Sequence, residues 1–380
     1  MDIKKILLFS FILSIFIETA SFIASKNELL IFNSKPGYLK FKSIYNALDW
    51  RTEEEAWGAW HKKNFLTRHE KKCFDVYYKT NDVGARSEFS FNNLKSDNNL
   101  VLLGDSFAEG VGVSNEYTLA GLLNDKYKTT LNFGSGGNFG PLQTFLIYQN
   151  LAKKFPHNEV VFLFLPANDF IDNDFDYYKK YKMTNRYRPY FKKINEEKFG
   201  YFYPSNSSPQ KDFPYENIKN TNYEKIKNFL KEYFWSYNLV KTVKYTLISR
   251  KNPYTVQNDN FGYFFSNKTS VEATIYFINK LFKEIDKNFE KTVMIIPTEK
   301  DLKNIMIMGN SYKKLKWYKE LEKLSNEQNV KIIDLAMENN GEYSLTHIED
   351  GISNWFLSCD GHWSEKGNKM AFQKLIFTKK

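Results

Sequence analysis

Four short segments hold the residues on which chemistry could be built. "VLLGDSFAEG" ends an apolar run at Gly104-Asp105-Ser106, and "NFGSGGNFG" brings Gly134, Gly136 and Gly137 together. "LFLPAND" ends at Asn168 and Asp169, and "CDGHWSEKG" carries Asp360 and His362. Singly, each has an ordinary explanation, because Gly, Asp and Ser form turns and helix caps and glycine runs form loops. Together they make a complete set for attack on an ester. A serine hydroxyl is a poor nucleophile until a base takes its proton, and histidine suits that task near neutral pH. A carboxylate fixes the imidazole tautomer and stabilises the cation that forms. The resulting oxyanion needs donors already in place. Here those donors would be the amides of Ser106 and a loop glycine, and the side-chain amide of Asn168. The set calls for no metal and no cofactor.

The elements around these segments must bring them to one place. "LVLL", "TTLNF" and "EVVFLFLP" read as buried strands, and helical spacing follows in "EYTLAGLLNDKY" and "PLQTFLIYQNLAKKF". Strand and helix alternate again in "SVEATIYFINKLFKEIDKNF", "KTVMIIP", "KKLKWYKELEKLSNEQ" and "VKIIDLA", and a last helix starts near Ser364. Five strands alternating with helices predict a three-layer α/β/α fold with a mostly parallel five-stranded sheet. In such a sheet the first three segments lie at the carboxyl ends of strands, where ligands bind. A polar, Tyr-rich stretch from about 170 to 268 interrupts the alternation and holds one predicted helix, from Tyr223 to Tyr245.

The chain starts with "MDIKK" and an almost unbroken apolar run from Ile6 to Ile17, interrupted by Glu18 and continuing to Ser25. Residues 1–25 are therefore expected to be a signal anchor or a cleaved signal peptide. In either case Lys4 and Lys5 stay inside and the remainder lies outside the cytoplasm, facing the periplasm or cell exterior. Residues 26–95 form a lead-in containing the strand-like "FDVYYKTNDVGAR", and residues 96–380 form the main domain with its insertion at about 170–268. The formal charge of +10 is spread among acids and accompanies no nucleic-acid motif, so a solvated basic surface is expected and no nucleic-acid partner. Cys73 and Cys359 are compatible with one disulfide or with two buried thiols. The histidines outside these segments, His61, His69, His157 and His347, read as surface or packing residues.

From about Asn99 onward the sequence resembles the SGNH (GDSL-type) hydrolases, in their membrane-anchored bacterial form. That resemblance implies Ser106 in "GDSF" as nucleophile and His362 in "DGHW" as base. It also implies Gly137 in "NFGSGGN" as oxyanion glycine, with Gly136 as the near alternative, and Asn168 in "AND" as a further donor. Its fold would be a flavodoxin-like sandwich. Many members place the acid three residues before the histidine; here Cys359 stands there, and Asp360 is two before. The Asp-x-His-Trp end is similar to that of polysaccharide O-acetylation proteins. The expected activity is an extracytoplasmic serine esterase or deacetylase acting on O-acyl esters, with an acylated carbohydrate or other ester as substrate and the membrane as a partner. A polysaccharide O-acetyltransferase using the same site, or a non-catalytic glycan-binding assembly component, are the alternatives.

Overall fold

The computed structural model describes residues 3–26, 36, 50–180, 187–205, 208–209, 222–251, 262–339 and 341–378. The chain divides into two compact units, one made of 43–214 and 259–380 and the other of 1–42 and 215–258.

The larger unit opens with two antiparallel hairpins, β1 (Arg51–Glu54) with β2 (Gly58–His61) and β3 (Leu66–Lys71) with β4 (Phe74–Lys79). The parallel strands β5 (Leu100–Gly104), β6 (Thr130–Gly134) and β7 (Glu159–Phe164) follow. A third hairpin, β8 (Tyr190–Lys193) with β9 (Phe199–Phe202), precedes the last two parallel strands, β10 (Glu290–Ile295) and β11 (Lys331–Asp334). The five run β11-β10-β7-β5-β6, all parallel. This is the flavodoxin-like order, in which the chain leaves β5 for one side of the sheet and then returns to the other. The crevice between the carboxyl ends of β5 and β7 is thus the topological switch point. The predicted fold class is borne out.

Period-two alternation assigns the strand side chains to two faces. Val101, Leu103, Val160, Phe162, Phe164, Val293 and Ile295 pack with Phe145, Phe277 and Trp317 from helices Pro141–Asn150, Lys268–Glu284 and Lys316–Gln328. Leu100, Leu102, Val161, Leu163 and Met294 pack on the other face with Leu119, Leu123, Ala371 and Leu375. Those residues belong to helices Leu119–Lys126 and Glu365–Phe377, the latter capped by Ser364 as its sequence predicts. Because β7 is covered on both faces, every residue in it is buried, which is why it reads as a continuous apolar run.

The smaller unit contains helices Ile3–Lys26, Asn222–Tyr233 and Trp235–Lys251. Two helices therefore stand where one is predicted. The break falls at Phe234, and the amides of the next two residues, Trp235 and Ser236, donate to the Glu18 carboxylate, at 2.8 and 3.3 Å. A cap supplied from more than two hundred residues away starts the second helix, and no local pattern encodes it. The N-terminal helix is long and apolar enough to cross a membrane.

Candidate active site

Ser106 follows β5 with only Asp105 between them. Gly104 ends that strand at a φ of +144°, and a Cβ there would lie 2.9 Å from the Leu163 carbonyl oxygen, so only glycine lets β5 and β7 close up beneath the serine. Asp105 caps the short helix Ser106–Glu109, its carboxylate accepting the Phe107 amide at 2.9 Å. Ser106 is the first residue of this helix, so its own amide has no acceptor within the helix.

His362 reaches the serine from the far end of the chain. The segment before it is a tight turn, in which the Leu357 amide donates to the His362 carbonyl at 2.9 Å and the Asp360 amide to the Leu357 carbonyl at 3.1 Å. Asp360 Oδ1 accepts both the His362 backbone N–H, at 3.1 Å, and the His362 Nδ1–H. A turn, not a helix, thus lets a carboxylate two residues upstream reach the ring. With its proton held at Nδ1, the imidazole offers the Nε2 lone pair to the Ser106 hydroxyl, which donates to it at 2.7 Å. Phe107 lies against the imidazole at 5.2 Å and meets Trp363 edge-on at 5.0 Å. Trp363 is buried in the core and packs the end of the chain onto the serine helix. A quarter of the His362 side chain is exposed, so the site opens to solvent.

The other oxygen of Asp360 accepts from Lys71 on β3, a group the sequence did not single out. Cys73 and Cys359 form a disulfide beside this pair, fastening the β3–β4 hairpin to the His362 turn. Burial works to raise the Asp360 carboxyl, but His362 and Lys71 outweigh it and hold the group below the ordinary carboxylate range. A depressed carboxylate adds stability above its unfolded pKa, about 3.9, and loses it as pH falls through the folded value. Lys71→Met should therefore move the acid-side loss of stability to higher pH. It should also lower kcat by up to about 100-fold through a misplaced imidazole, with KM little changed. Denaturant midpoints of the two proteins as a function of pH check the first effect, and their kcat and KM the second.

The glycine segment folds over the serine: a Cβ at Gly136 would stand 3.3 Å from that of Ser106. The Gly136 amide, however, donates to the Glu109 carboxylate. The Gly136 amide is thus already engaged, and Gly137 beside it takes a φ of +88°. Asn168 sits in the turn after β7, across the switch point, where its Nδ2 donates to Asp105 at 3.0 Å. The second Nδ2 hydrogen has no partner among the described residues. Burial raises the Asp105 carboxyl above its ordinary value, and burial with the nearby Asp105 and Asp172 charges raises Asp169 further. Asp169 caps its own turn by accepting the Leu165 amide at 2.8 Å.

Beneath the serine helix lies a buried ionic network. Arg51 Nη2 donates to both oxygens of Glu109, at 3.1 and 2.9 Å, and Nη1 donates to the Gly136 carbonyl at 3.1 Å. Arg51 Nη1 also donates to His61 Nε2 at 2.9 Å, and His61 Nδ1 donates to the Gly84 carbonyl at 3.0 Å. A guanidinium only donates, so His61 is neutral; burial and the Arg51 charge both lower its pKa. Its 3.3 Å approach to Glu109 is then contact without a shared proton. Burial, the largest single influence, would raise Glu109, but Arg51 together with His61 and the Gly136 amide outweighs it and holds this carboxyl below its ordinary range. Arg86 clamps the exit of the helix, donating to the carbonyls of Glu109, Gly110 and Val113 and, at 2.7 Å, to Asn115 Oδ1. His61 is thus no surface residue.

The five residues predicted for the site therefore lie at the carboxyl edge of the sheet or in the turns beside it. Lys71, Arg51, Glu109 and Arg86 were missed. Only Glu109 left a signal, an acid three residues after the serine and on the inner side of the same helical turn. Among the described residues, no three His, Cys, Asp or Glu side chains are grouped so as to hold a metal ion.

The chain matches no known family profile and no curated protein. Solved structures that it resembles include a lipase/acylhydrolase from Enterococcus faecalis, with 12% identity, 74% of this chain and 94% of that one covered, and a TM-score of 0.37. Another is the psychrotrophic esterase EstA from Pseudoalteromonas sp., in a structure inhibited by monoethylphosphonate, with 12% identity, coverage of 73% and 94%, and a TM-score of 0.35.

Proposed function

We propose that this protein is an extracytoplasmic serine esterase that removes O-acyl groups, those of a glycan in particular, through an acyl-serine intermediate. The observation that carries the reading is the relay from Ser106 Oγ to His362 Nε2, at 2.7 Å, and from His362 Nδ1 to Asp360. Ser106 Oγ attacks the acyl carbonyl carbon while its proton passes to Nε2. The negative charge that develops on the carbonyl oxygen meets the amides of Ser106 and Gly137 and the second N–H of Asn168 Nδ2. Such donors are worth about 100- to 1,000-fold in rate each. Collapse breaks the ester C–O bond, and His362 returns the proton to the departing alkoxide. Water then attacks the acyl-serine with His362 again as base, releasing the carboxylic acid and restoring Ser106.

The glycan reading is supported by the Asp-x-His-Trp end of the chain. The aromatic stretch 175–191 does not add to it. Residues 181–186 lie outside the described part, while Tyr178 and Tyr190 are buried around Arg188, whose guanidinium lies 3.7 and 5.0 Å from their rings.

Acetate release from an acetylated oligosaccharide, followed beside acetyl incorporation into an unacetylated one, tests the reading. The expected outcome is release from the first and no incorporation into the second. Incorporation would assign the acyl-serine to a transferase. Neither outcome, with no turnover of any short-chain ester, would leave the fold as a glycan-binding component.

A further inference from the structure

Two helices of the insertion, Asn222–Tyr233 and Trp235–Lys251, share a compact unit with the N-terminal apolar helix. Glu18 is the sixteenth residue of Ile3–Lys26, about 12 Å short of that helix's carboxyl end. A carboxylate at that depth of a spanning helix is costly unless it is satisfied within the protein. Here it accepts the first amides of helix Trp235–Lys251 and the Ser236 hydroxyl, and the Phe22 ring meets Trp235 edge-on at 5.1 Å. Helix Trp235–Lys251 is therefore docked on the carboxyl-terminal third of the apolar helix, towards the end at which the chain would leave a bilayer.

Helix Asn222–Tyr233 lies next to this junction and has two unlike faces. At 100° per residue Tyr223, Ile226, Phe229, Leu230 and Tyr233 fall within a 120° arc, opposite Lys225, Lys227, Lys231 and Glu232. Four of the five are more than half exposed: Tyr223 at 71%, Ile226 at 60%, Phe229 at 56% and Tyr233 at 55%. A contiguous row of exposed aromatic and aliphatic side chains on one helix face marks an interaction surface. Across residues 222–251 there are seven basic and two acidic side chains, which matches an anionic surface.

We infer that helix Asn222–Tyr233 lies in the plane of the membrane–water interface. Tyr223, Ile226, Phe229 and Tyr233 enter the acyl boundary, and Lys225 and Lys231 reach lipid phosphates. Tyrosine and tryptophan favour this depth, and lysines beside an apolar stripe hold such helices on anionic lipid. The unit of apolar helix and insertion is then a two-part membrane foothold, a spanning stem and an interfacial arm joined through Glu18. This rests on the apolar helix entering the bilayer and is independent of the reaction proposed above.

The test uses the full chain in vesicles of phosphatidylethanolamine and phosphatidylglycerol, kept oxidised so that Cys73 and Cys359 stay bridged. Ile226→Cys, Phe229→Cys, Lys225→Cys and Lys231→Cys are each spin-labelled, with Leu13→Cys as the marker for the stem. Relaxation by oxygen is compared with relaxation by a water-soluble nickel chelate. Labels at 226 and 229 should show an oxygen-to-nickel ratio several-fold above those at 225 and 231, approaching that of 13. A lipid-like signal at 13 with equal, water-like ratios at the other four overturns the proposal while leaving the stem in place. A water-like signal at 13 removes its basis. Spin–spin broadening at 226 that disappears on dilution with unlabelled protein assigns the face to a second copy and also overturns it.

Discussion

Ser106→Ala will lower kcat for a short-chain acyl ester by about 10⁶-fold, the scale at which serine triads fail when the nucleophile is removed. KM should change little, since the serine contributes to bond-making and not to the walls that hold substrate. The stronger prediction concerns combination. His362→Ala should cost about as much as Ser106→Ala, and the double variant should be no slower than either. That follows from the geometry: the Ser106 hydroxyl donates to Nε2 at 2.7 Å, and neither partner has a reacting role without the other. Additive losses would mean that the two residues act separately. The residual rate should still exceed that in water, because the amides of Ser106 and Gly137 and the Asn168 side chain remain.

The second large effect is on stability. Glu109→Gln should destabilise the folded protein by about 3–5 kcal/mol, measured as a shift in denaturant midpoint, because it strands the Arg51 charge in a buried site. Both side chains are withdrawn from water, Glu109 fully and Arg51 to 10% exposure. The loss should be accompanied by a fall in activity, since the same carboxylate holds the Gly136 amide and thereby shapes the loop that carries Gly137. The pH dependence has a definite sign. Glu109 titrates lower in the folded state than in the unfolded one, so its stabilising contribution is full above the unfolded value, about 4.3, and disappears as pH falls below it. His61, held neutral, adds to acid destabilisation from about pH 6.5 downward, where the unfolded chain takes up the proton that the folded site refuses. In Glu109→Gln the acid-limb slope due to Glu109 should vanish, and that due to His61 should persist.

How much of this was legible beforehand depends on the range over which each feature is encoded. The parallel strands could be read because burial on both faces makes them continuous apolar runs, and the segments at their ends because turn chemistry is local. Ser364 is a cap in sequence and in structure for the same reason. Lys71 could not be read: its partner Asp360 is 289 residues away, and one lysine among many carries no mark of its role. Arg51 and Glu109 are 58 residues apart, and the four-residue strand that carries Arg51 has too few positions to show an alternation. The same holds for the Cys73–Cys359 bridge, open in the sequence and closed in the structure. Glu18 was legible as an interruption of an apolar run. Its use as a cap depends on Trp235 and Ser236, which only the fold brings to it.

One measurement bears most directly on the central claim that Ser106 is the nucleophile. The intact protein is treated with an alkyl fluorophosphonate, which phosphonylates an activated serine with loss of fluoride, and the adduct is located by mass spectrometry of its peptides. A single stoichiometric adduct on the peptide containing Ser106, absent from Ser106→Ala and strongly slowed in His362→Ala, is the predicted result. An adduct on another residue, or none on a folded protein that still hydrolyses an ester, would contradict it.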